Sequence, residues 1–144
     1  MRARVQEILD GARLPERHHS GDAGFDLYAC GDDDWVVPPL EGRDIPCGVA
    51  IEWPAGLWGF LVGRSSTFHK KGLIVNPAII DAGFRGELFA AVRNITAGPV
   101  AISPGDRIAQ IIPMPLISHN IEMGWCDTLS ASDRGTNGFG STGD

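Results

Sequence analysis

Short apolar runs separated by glycine and proline recur along this chain. The 144 residues include 19 glycines and 10 prolines, about a fifth of the total, and both residue types interrupt helices. Between them, apolar and β-branched residues alternate with polar ones in the manner of short strands. The pattern predicts nine strands, at 4–9, 25–29, 35–37, 48–53, 57–62, 73–75, 87–94, 100–102 and 107–114. We therefore expect an all-β sandwich or jelly roll.

Only one place favours a helix. Residues 65–71 lie between Gly63 and Gly72 and predict a single helical turn. No repeat or linker divides the sequence before residue 130, so we expect residues 1–130 to form one β domain. Residues 131–144 are polar and rich in glycine, which predicts a flexible C-terminal arm.

The charge of the chain narrows the choice of partners. A formal net charge of −6 argues against binding to nucleic acid or to an acidic membrane, since both require accumulated cations. Seven of the 12 Lys and Arg residues nevertheless follow residue 60. The charge distribution therefore does not argue against binding of a small anionic ligand. The apolar runs are far shorter than the ~20 residues of a membrane span. We expect a soluble, cytoplasmic protein.

The cysteines and histidines lack the spacing of a metal site. Cys30, Cys47 and Cys126 are far apart in the sequence, so we expect small buried thiols in a reducing compartment. The four histidines also lack ligand spacing. The sequence therefore predicts neither a zinc site nor a disulfide framework.

The C-terminal arm carries groups that suit a nucleotide. Arg134, Ser141 and Thr142 can bind phosphate, and glycine lets the backbone approach it closely. Phe139 offers an aromatic face for a base. A polar, glycine-rich terminus can also be simply disordered, and both interpretations stay open from the arm alone.

Two segments inside the domain carry polar groups that need a partner, and the first of them is a candidate for phosphate binding. Residues 63–66, Gly-Arg-Ser-Ser, follow an apolar run and bring N–H groups, hydroxyls and a guanidinium to a strand end. Ser65 is equally suited to be a helix N-cap. Gln110 should share a strand face with Ile108 and Ile112. It needs a polar partner there, either a ligand or a group of the protein.

Two carboxylates, one at the end of an apolar segment and one within an alternating run, are candidates for chemistry. Asp81 ends such a segment just before Gly83, so it is a candidate general base at a strand end, or a turn-forming residue. Asp26 lies in an alternating run between Phe25 and Leu27. It is suited to hold hydrated Mg²⁺, or to face solvent.

Taken together and in order, five segments resemble the five motifs of the trimeric dUTPase family. The resemblance spans residues 23–143, and five ordered matches are far more specific than any one of them. The matching strings are AGFDLYA, GRSSTFHKKGL, NPAIIDAGFRGEL, PGDRIAQII and RGTNGFGSTG. The resemblance implies a jelly-roll-like β-clip fold.

The resemblance also implies an activity, which is hydrolysis of dUTP to dUMP and pyrophosphate with Mg²⁺. Water would attack the α-phosphorus, with Asp81 as the base and Asp26 holding Mg²⁺ through water. The family forms homotrimers with sites shared between subunits, and the arm would close over the substrate. The substrate-binding residues implied are Arg64, Ser65, Ser66, Asn76, Ile80, Phe84, Gln110, Arg134, Phe139, Gly140, Ser141 and Thr142.

Two positions depart from the family pattern. Ala78 stands where the family usually has glycine, and Phe84 stands where it usually has tyrosine. Phenylalanine keeps the ring that would contact deoxyribose, so we expect sugar selection to survive. Ala78 adds a methyl group beside the uracil pocket, and its effect on the affinity for dUTP is an open question at this point.

Two alternatives exist on the same fold. A dCTP deaminase shares the RSS segment and the hairpin, but its proton-shuttling glutamate is replaced here by Ala91. A nucleotide-sensing or partner-binding protein would not need Asp81 as a base. Both are weaker interpretations than dUTP hydrolysis.

Overall fold

Strands dominate the secondary structure. The computed structural model describes residues 1–133, 135 and 136, so most of the predicted arm at 131–144 lies outside the described residues. None of the helices in the described part is long and apolar enough to cross a membrane. The elements in that part are β1 (Arg4–Glu7), β2 (Phe25–Tyr28), β3 (Trp35–Val37), β4 (Gly42–Pro46), β5 (Val49–Glu52), β6 (Leu57–Gly63), α1 (Ser65–Lys71), β7 (Leu73–Val75), β8 (Ala78–Ile80), β9 (Phe89–Asn94), β10 (Val100–Ile102), β11 (Arg107–Pro115) and a 3₁₀ turn (Ser118–Asn120).

The all-β prediction is confirmed, and two strands are added to it. Each of the nine predicted strands is present with ends that differ by at most two residues, and α1 is the predicted helical turn. The strands β4 and β8 were not predicted. β4 exposes its first three residues and contains both glycine and proline, so its sequence resembles a loop. β8 has three residues and is defined by its pairing with β6.

Within the described part of the chain, all strand pairs are antiparallel and form four small sheets around one core. The largest sheet has the order β2-β11-β6-β8, and a second has the order β4-β9-β7. Strand β1 pairs with β5, and β3 pairs with β10. Burying one large aliphatic side chain stabilises a fold by about 1.5–3 kcal/mol. The largest fully buried aliphatic side chains are Leu27, Ile45, Leu61, Leu73, Leu88, Ile102, Ile108 and Ile111.

The pairing of β6 with β11 organises the largest sheet. It aligns residues 57–63 with residues 109–115. The register with β2 shifts near the start of β11, where Ile108 is fully buried, as expected of a β-bulge. The hydroxyl of Thr67 in α1 donates to the carbonyl of Ile108 at 3.0 Å. The bulge therefore anchors the helix to the sheet.

Helix α1 is also held at its C-terminal end. Gly72 follows it with a φ of 63°, a left-handed conformation that favours glycine. Lys71 pairs with Asp106 in the turn before β11. Burial alone would raise the pKa of Asp106, but Lys71 and the N–H of Ser103 together lower it. The turn that starts β11 is therefore tied to the helix.

One buried polar side chain links two of the sheets. Asn94 of β9 is fully buried, and its amide donates to the carbonyls of Val37 at 3.0 Å and Gly98 at 2.8 Å. Its oxygen accepts the N–H and the hydroxyl of Thr96, both at 2.8 Å. The donors and acceptor of this amide are thus satisfied, and β9 is fixed to β3.

The prediction that the cysteines are buried is confirmed for two residues and wrong for the third. Cys30 and Cys47 are buried free thiols, and burial raises the pKa of both, that of Cys47 to about 12. Cys126 is exposed. It follows β11 in a segment, 117–133, whose side chains are all exposed, so no core surrounds it.

Candidate active site

A cleft opens where β2, β11 and the turn from β6 into α1 meet. Its volume is about 240 Å³. It brings together five of the residues singled out in the sequence. These are Asp26, Arg64, Ser65, Ser66 and Gln110, and the lining is completed by His18, Asp22, Ala23 and Gly24.

An ion pair joins two sides of the cleft. The Nε of Arg64 lies 2.7 Å from Oδ1 of Asp26, and the two side chains are 21% and 14% exposed. Nη1 of Arg64 also donates to Oγ of Ser66 at 3.0 Å. Arg107 approaches the other oxygen of Asp26 at 3.5 Å. Two guanidinium groups therefore meet one carboxylate at the cleft.

Ser65 and Ser66 form the first turn of α1. The N-cap is Arg64, with φ of −95° and ψ of 146°, and no side chain caps the helix. The interpretation of Ser65 as the N-cap is therefore wrong, because the helix begins one residue earlier than that role requires. The first N–H groups of a helix have no intrahelical partner. This end of α1 suits an anionic oxygen.

Gln110 finds its polar partner within the protein. Its Nε2 donates to the carbonyl of Gly63 at 3.0 Å. A Cβ on Gly24 would touch both Gln110 and Ile112, so these two side chains share a face as predicted. Ile108 does not share it, because the bulge at the start of β11 breaks the alternation.

Three residues of this site were missed in the sequence. Asp22 accepts the N–H groups of His18 at 3.1 Å and His19 at 2.7 Å, and the bond from His19 lowers the pKa of Asp22. These bonds fix the loop that brings His18 to the cleft. Arg107 reaches Asp26 only through the pairing of β2 with β11. Arg107 lies within the matching string PGDRIAQII, and Asp22 directly precedes AGFDLYA. These positions were the available signal.

The candidate base lies on the opposite edge of the same sheet. Asp81 follows the edge strand β8 and is exposed. Its carbonyl accepts the N–H of Phe84 at 3.0 Å, which closes a turn. Three strand spacings, and about four residues along the strands, separate Asp81 from Asp26. Ordinary sheet dimensions place their Cα atoms roughly 20 Å apart, so one chain does not bring Asp81 to the cleft.

Asn76, Ile80 and Phe84 lie in the same stretch as Asp81, residues 76–86, which joins the paired strands β7 and β9. We call this stretch the hairpin. Asn76 is exposed, and its N–H donates to the carbonyl of Ala91 at 2.8 Å. Ile80 is half-buried at the end of β8. Phe84 is 43% exposed, and a Cβ on Gly86 would lie 2.6 Å from its ring. The absence of a side chain at Gly86 therefore allows the ring to take this position.

The predicted residues of the arm are not part of this geometry. Arg134, Phe139, Gly140, Ser141 and Thr142 lie outside the described residues. Their roles stay predictions.

Comparison with known proteins decides the family. The family model described as dUTPase matches residues 10–143. The chain belongs to the dUTPase family. This confirms the family and the enzyme class, dUTP diphosphatase, predicted from the sequence. The deoxyuridine 5'-triphosphate nucleotidohydrolase of Leifsonia xyli subsp. xyli is 46% identical over 134 residues, which cover 91% of this chain and 86% of that protein.

Solved structures of phage dUTPases share the fold. The dUTPase of Staphylococcus bacteriophage 80alpha, in a glycine-to-serine variant with dUpNHpp, matches with a TM-score of 0.91 at 29% identity over 99% of both chains. The dUTPase of phage phi11 of S. aureus, in an Asp-to-Asn variant reported to coordinate a structural Mg(II) ion, has a TM-score of 0.82 at 25% identity. That match covers 91% of this chain and 100% of the other. The jelly-roll-like fold predicted for this dUTPase family member is confirmed.

Gly24 provides a test of the cleft as a polyphosphate site. A Cβ at this position would lie 2.7 Å from Oε1 of Gln110, so Gly24→Ala should push the Gln110 amide out of place. We expect the affinity for inorganic tripolyphosphate, measured by calorimetry, to fall about tenfold, as for the loss of one hydrogen bond to a charged group.

Gly21 supplies the matched control in the same loop. A Cβ there would meet no atom within 4 Å, so Gly21→Ala should bind tripolyphosphate like the wild type. Equal affinities of the Gly24→Ala and Gly21→Ala variants would contradict a role for Gln110 in phosphate binding.

Proposed function

We propose that this protein hydrolyses dUTP to dUMP and pyrophosphate, with Mg²⁺ as its cofactor. The observation that supports this most directly is the cleft in which Arg64, Ser65, Ser66 and Gln110 lie around Asp26. Guanidinium, hydroxyl and amide groups are donors that suit phosphate oxygens. The related proteins named as dUTPases, one of them with dUpNHpp, indicate the same substrate.

The donors of the cleft are held in place before a ligand arrives. Asp26 and Ser66 both contact Arg64, at 2.7 and 3.0 Å, and Gln110 is held by the carbonyl of Gly63. Donors that are fixed in advance stabilise the charge that builds on phosphoryl oxygens during attack. In this proposal they bind the triphosphate and lower the barrier.

The cleft also fits a hydrated magnesium ion. Magnesium usually keeps several waters and takes one or two carboxylates together with substrate phosphates. Among the described residues no group of three His, Cys, Asp or Glu could hold a metal, so a cage made by the protein alone is absent there. Asp26 would hold the ion through water, and the ion would neutralise charge on the triphosphate.

Asp81 is the proposed general base. Its exposed carboxylate would accept a proton from the water that attacks the α-phosphorus. The bond between that phosphorus and the leaving oxygen breaks as the new bond to water forms, and pyrophosphate departs. A base must lie within hydrogen-bond reach of the water, so the position of the turn carrying Asp81 matters.

The hairpin that carries Asp81 is proposed to bind the nucleoside. Asn76 and the backbone near Ile80 would contact the uracil edge, and the ring of Phe84 would contact the deoxyribose. Gly86 lets that ring lie close to the backbone. The hairpin would then select the base and the sugar while the cleft binds the phosphates.

The distance between Asp81 and the cleft supports a site shared between subunits. A separation of roughly 20 Å, from ordinary sheet spacings, is too long for one chain to hold both the α-phosphate and the base. We therefore propose a homotrimer in which the hairpin of one subunit completes the cleft of another. Cytoplasmic localisation stays a prediction.

The arm is proposed to close over the bound substrate. Arg134, Gly140, Ser141 and Thr142 would contact the terminal phosphate, and Phe139 would stack on uracil. This proposal rests on the chemistry of the arm sequence and on the match of the family model, which extends to residue 143.

Deamination of dCTP is not supported. Ala91 lies in β9 opposite Asp44, and a methyl side chain cannot move a proton. A purely nucleotide-sensing role would leave the carboxylate of Asp81 without a purpose. Hydrolysis accounts for both positions.

Replacing the base tests the proposal directly. The wild type should release pyrophosphate from dUTP in a Mg²⁺-dependent manner, and far less from dCTP, dTTP or UTP. Asp81→Asn should bind dUpNHpp normally but lower kcat at least ~10²-fold, the lower range for loss of general base catalysis. A coupled pyrophosphate assay measures both results.

Asp33→Asn is the control, because Asp33 is another exposed carboxyl group with no assigned role. It should keep wild-type turnover. Near-normal turnover of the Asp81→Asn variant would refute the assignment of the base. Ammonia release from dCTP would refute the assignment of the reaction.

Mixing two inactive variants tests the shared site. Asp81→Asn and Arg64→Ala should each be nearly inactive alone. If one site takes these residues from different chains, random reassembly of an equal mixture should restore about a quarter of the sites. Activity no higher than the sum of the separate variants would show that both residues serve the same site from one chain.

Deleting the residues after Ser132 tests the arm. The shortened chain should keep its melting temperature and assembly, because the buried core side chains of the described residues all precede residue 112. It should lose most of its dUTP hydrolysis. An arm of equal length made of glycine and serine controls for length alone. Normal turnover of either variant would contradict closure by Arg134 and Phe139.

A further inference from the structure

The turn that carries Asp81 has little packing of its own. It is anchored before Asp81 by the pairing of Ile80 with Gly59. It is anchored again after the turn, where Glu87 accepts the N–H of Gly48 at 3.1 Å and Leu88 is fully buried. The residues between, 81–86, are exposed or half-buried. Apolar contacts therefore do little to fix where the carboxylate of Asp81 lies.

Arg85 holds this turn from within. Its Nη1 donates to the carbonyls of Ala82 and Phe84, both at 2.9 Å. Among the described residues, no other side chain forms a hydrogen bond to the segment 81–86. The N–H of Phe84 also donates a hydrogen bond to the carbonyl of Asp81. These hydrogen bonds together determine the shape of the turn.

The same guanidinium connects the turn to a different sheet. Nη2 of Arg85 lies 3.9 Å from Oε1 of Glu52 in β5. Glu52 also pairs with Arg4, its register partner on β1. Arg85 therefore connects the turn to the β1–β5 sheet, which is separate from the sheet that contains β8.

The contacts of Arg85 are better suited to orienting the turn than to stabilising the fold. The side chains of Arg85 and Glu52 are 53% and 35% exposed, and such surface pairs contribute only about 0–1 kcal/mol to folding. A misplacement of a reacting group by about 1 Å, in contrast, can lower a rate by roughly 10²-fold.

We propose that Arg85 is a positioning residue for Asp81, and that Glu52 orients Arg85. This inference rests on the proposed role of Asp81 as the base. Arg85 does not touch the substrate in this account. It sets the turn so that the carboxylate of Asp81 meets the attacking water when the hairpin completes a cleft.

Steady-state kinetics of four full-length variants test the inference. Arg85→Met should lower kcat for dUTP about 10- to 100-fold with KM changed less than about threefold. The kcat of Arg85→Lys should lie between those of Arg85→Met and the wild type. One ammonium group can donate to the carbonyls but cannot also reach Glu52. Glu52→Gln should show a smaller loss of kcat, because the carbonyl contacts persist.

Arg43→Met is the matched control, because Arg43 forms a similar exposed pair with Glu41 at 3.6 Å on another sheet. It should leave kcat and KM unchanged, and all four variants should melt within a few degrees of the wild type. Hydrogen exchange at the amide of Phe84 should be faster in Arg85→Met than in Arg43→Met, because the turn it closes is released.

Two results would overturn the inference. One is a kcat of Arg85→Met within about threefold of that of Arg43→Met. The other is equal loss in Arg85→Lys and Arg85→Met with unchanged exchange at Phe84. Either result counts against Arg85 only when the wild type hydrolyses dUTP and Asp81→Asn does not, so failure here is distinct from failure of the proposed function.

Discussion

The antiparallel pairing of β6 with β11 is the interaction on which the rest of the structure depends. It ends at Gly63, where the chain turns into α1, and it thereby puts Arg64 beside Gln110. The bulge at the start of β11 offers the carbonyl of Ile108 to Thr67, which fixes the helix to the sheet. Without this register the donors of the cleft would be separate surface groups.

The pattern of short apolar and alternating runs was enough to predict the fold class and nine strands, although burial ranges from the largely exposed β1 to the almost wholly buried β5. It failed for β4, which exposes its first three residues and buries the last two, Ile45 and Pro46, because burial there depends on the neighbouring strand. It also failed at Ile108, since a bulge changes the side-chain alternation locally. Tertiary contacts, which the pattern does not contain, decided both places.

The candidate site was predictable in its residue types and not in its distances. Ordered motifs pointed to Asp26, Arg64 and Gln110, which the fold brings together. The same reasoning gave no sign that Asp81 lies on the far edge of the sheet, because strand order is not written in local sequence. Arg107 escaped notice for the same reason, since its contact with Asp26 exists only across paired strands.

An anionic ligand that enters the cleft must compete with the carboxylate of Asp26 for the guanidinium groups there. Its carboxylate already satisfies Arg64 at 2.7 Å and faces Arg107 at 3.5 Å. A small monovalent anion such as chloride would gain little by displacing an attached carboxylate, whose effective concentration is high. A polyanion brings several charges and can compete for both guanidinium groups at once. With Asp26 between Arg64 and Arg107, the cleft therefore favours a ligand that carries several negative charges over a monovalent anion.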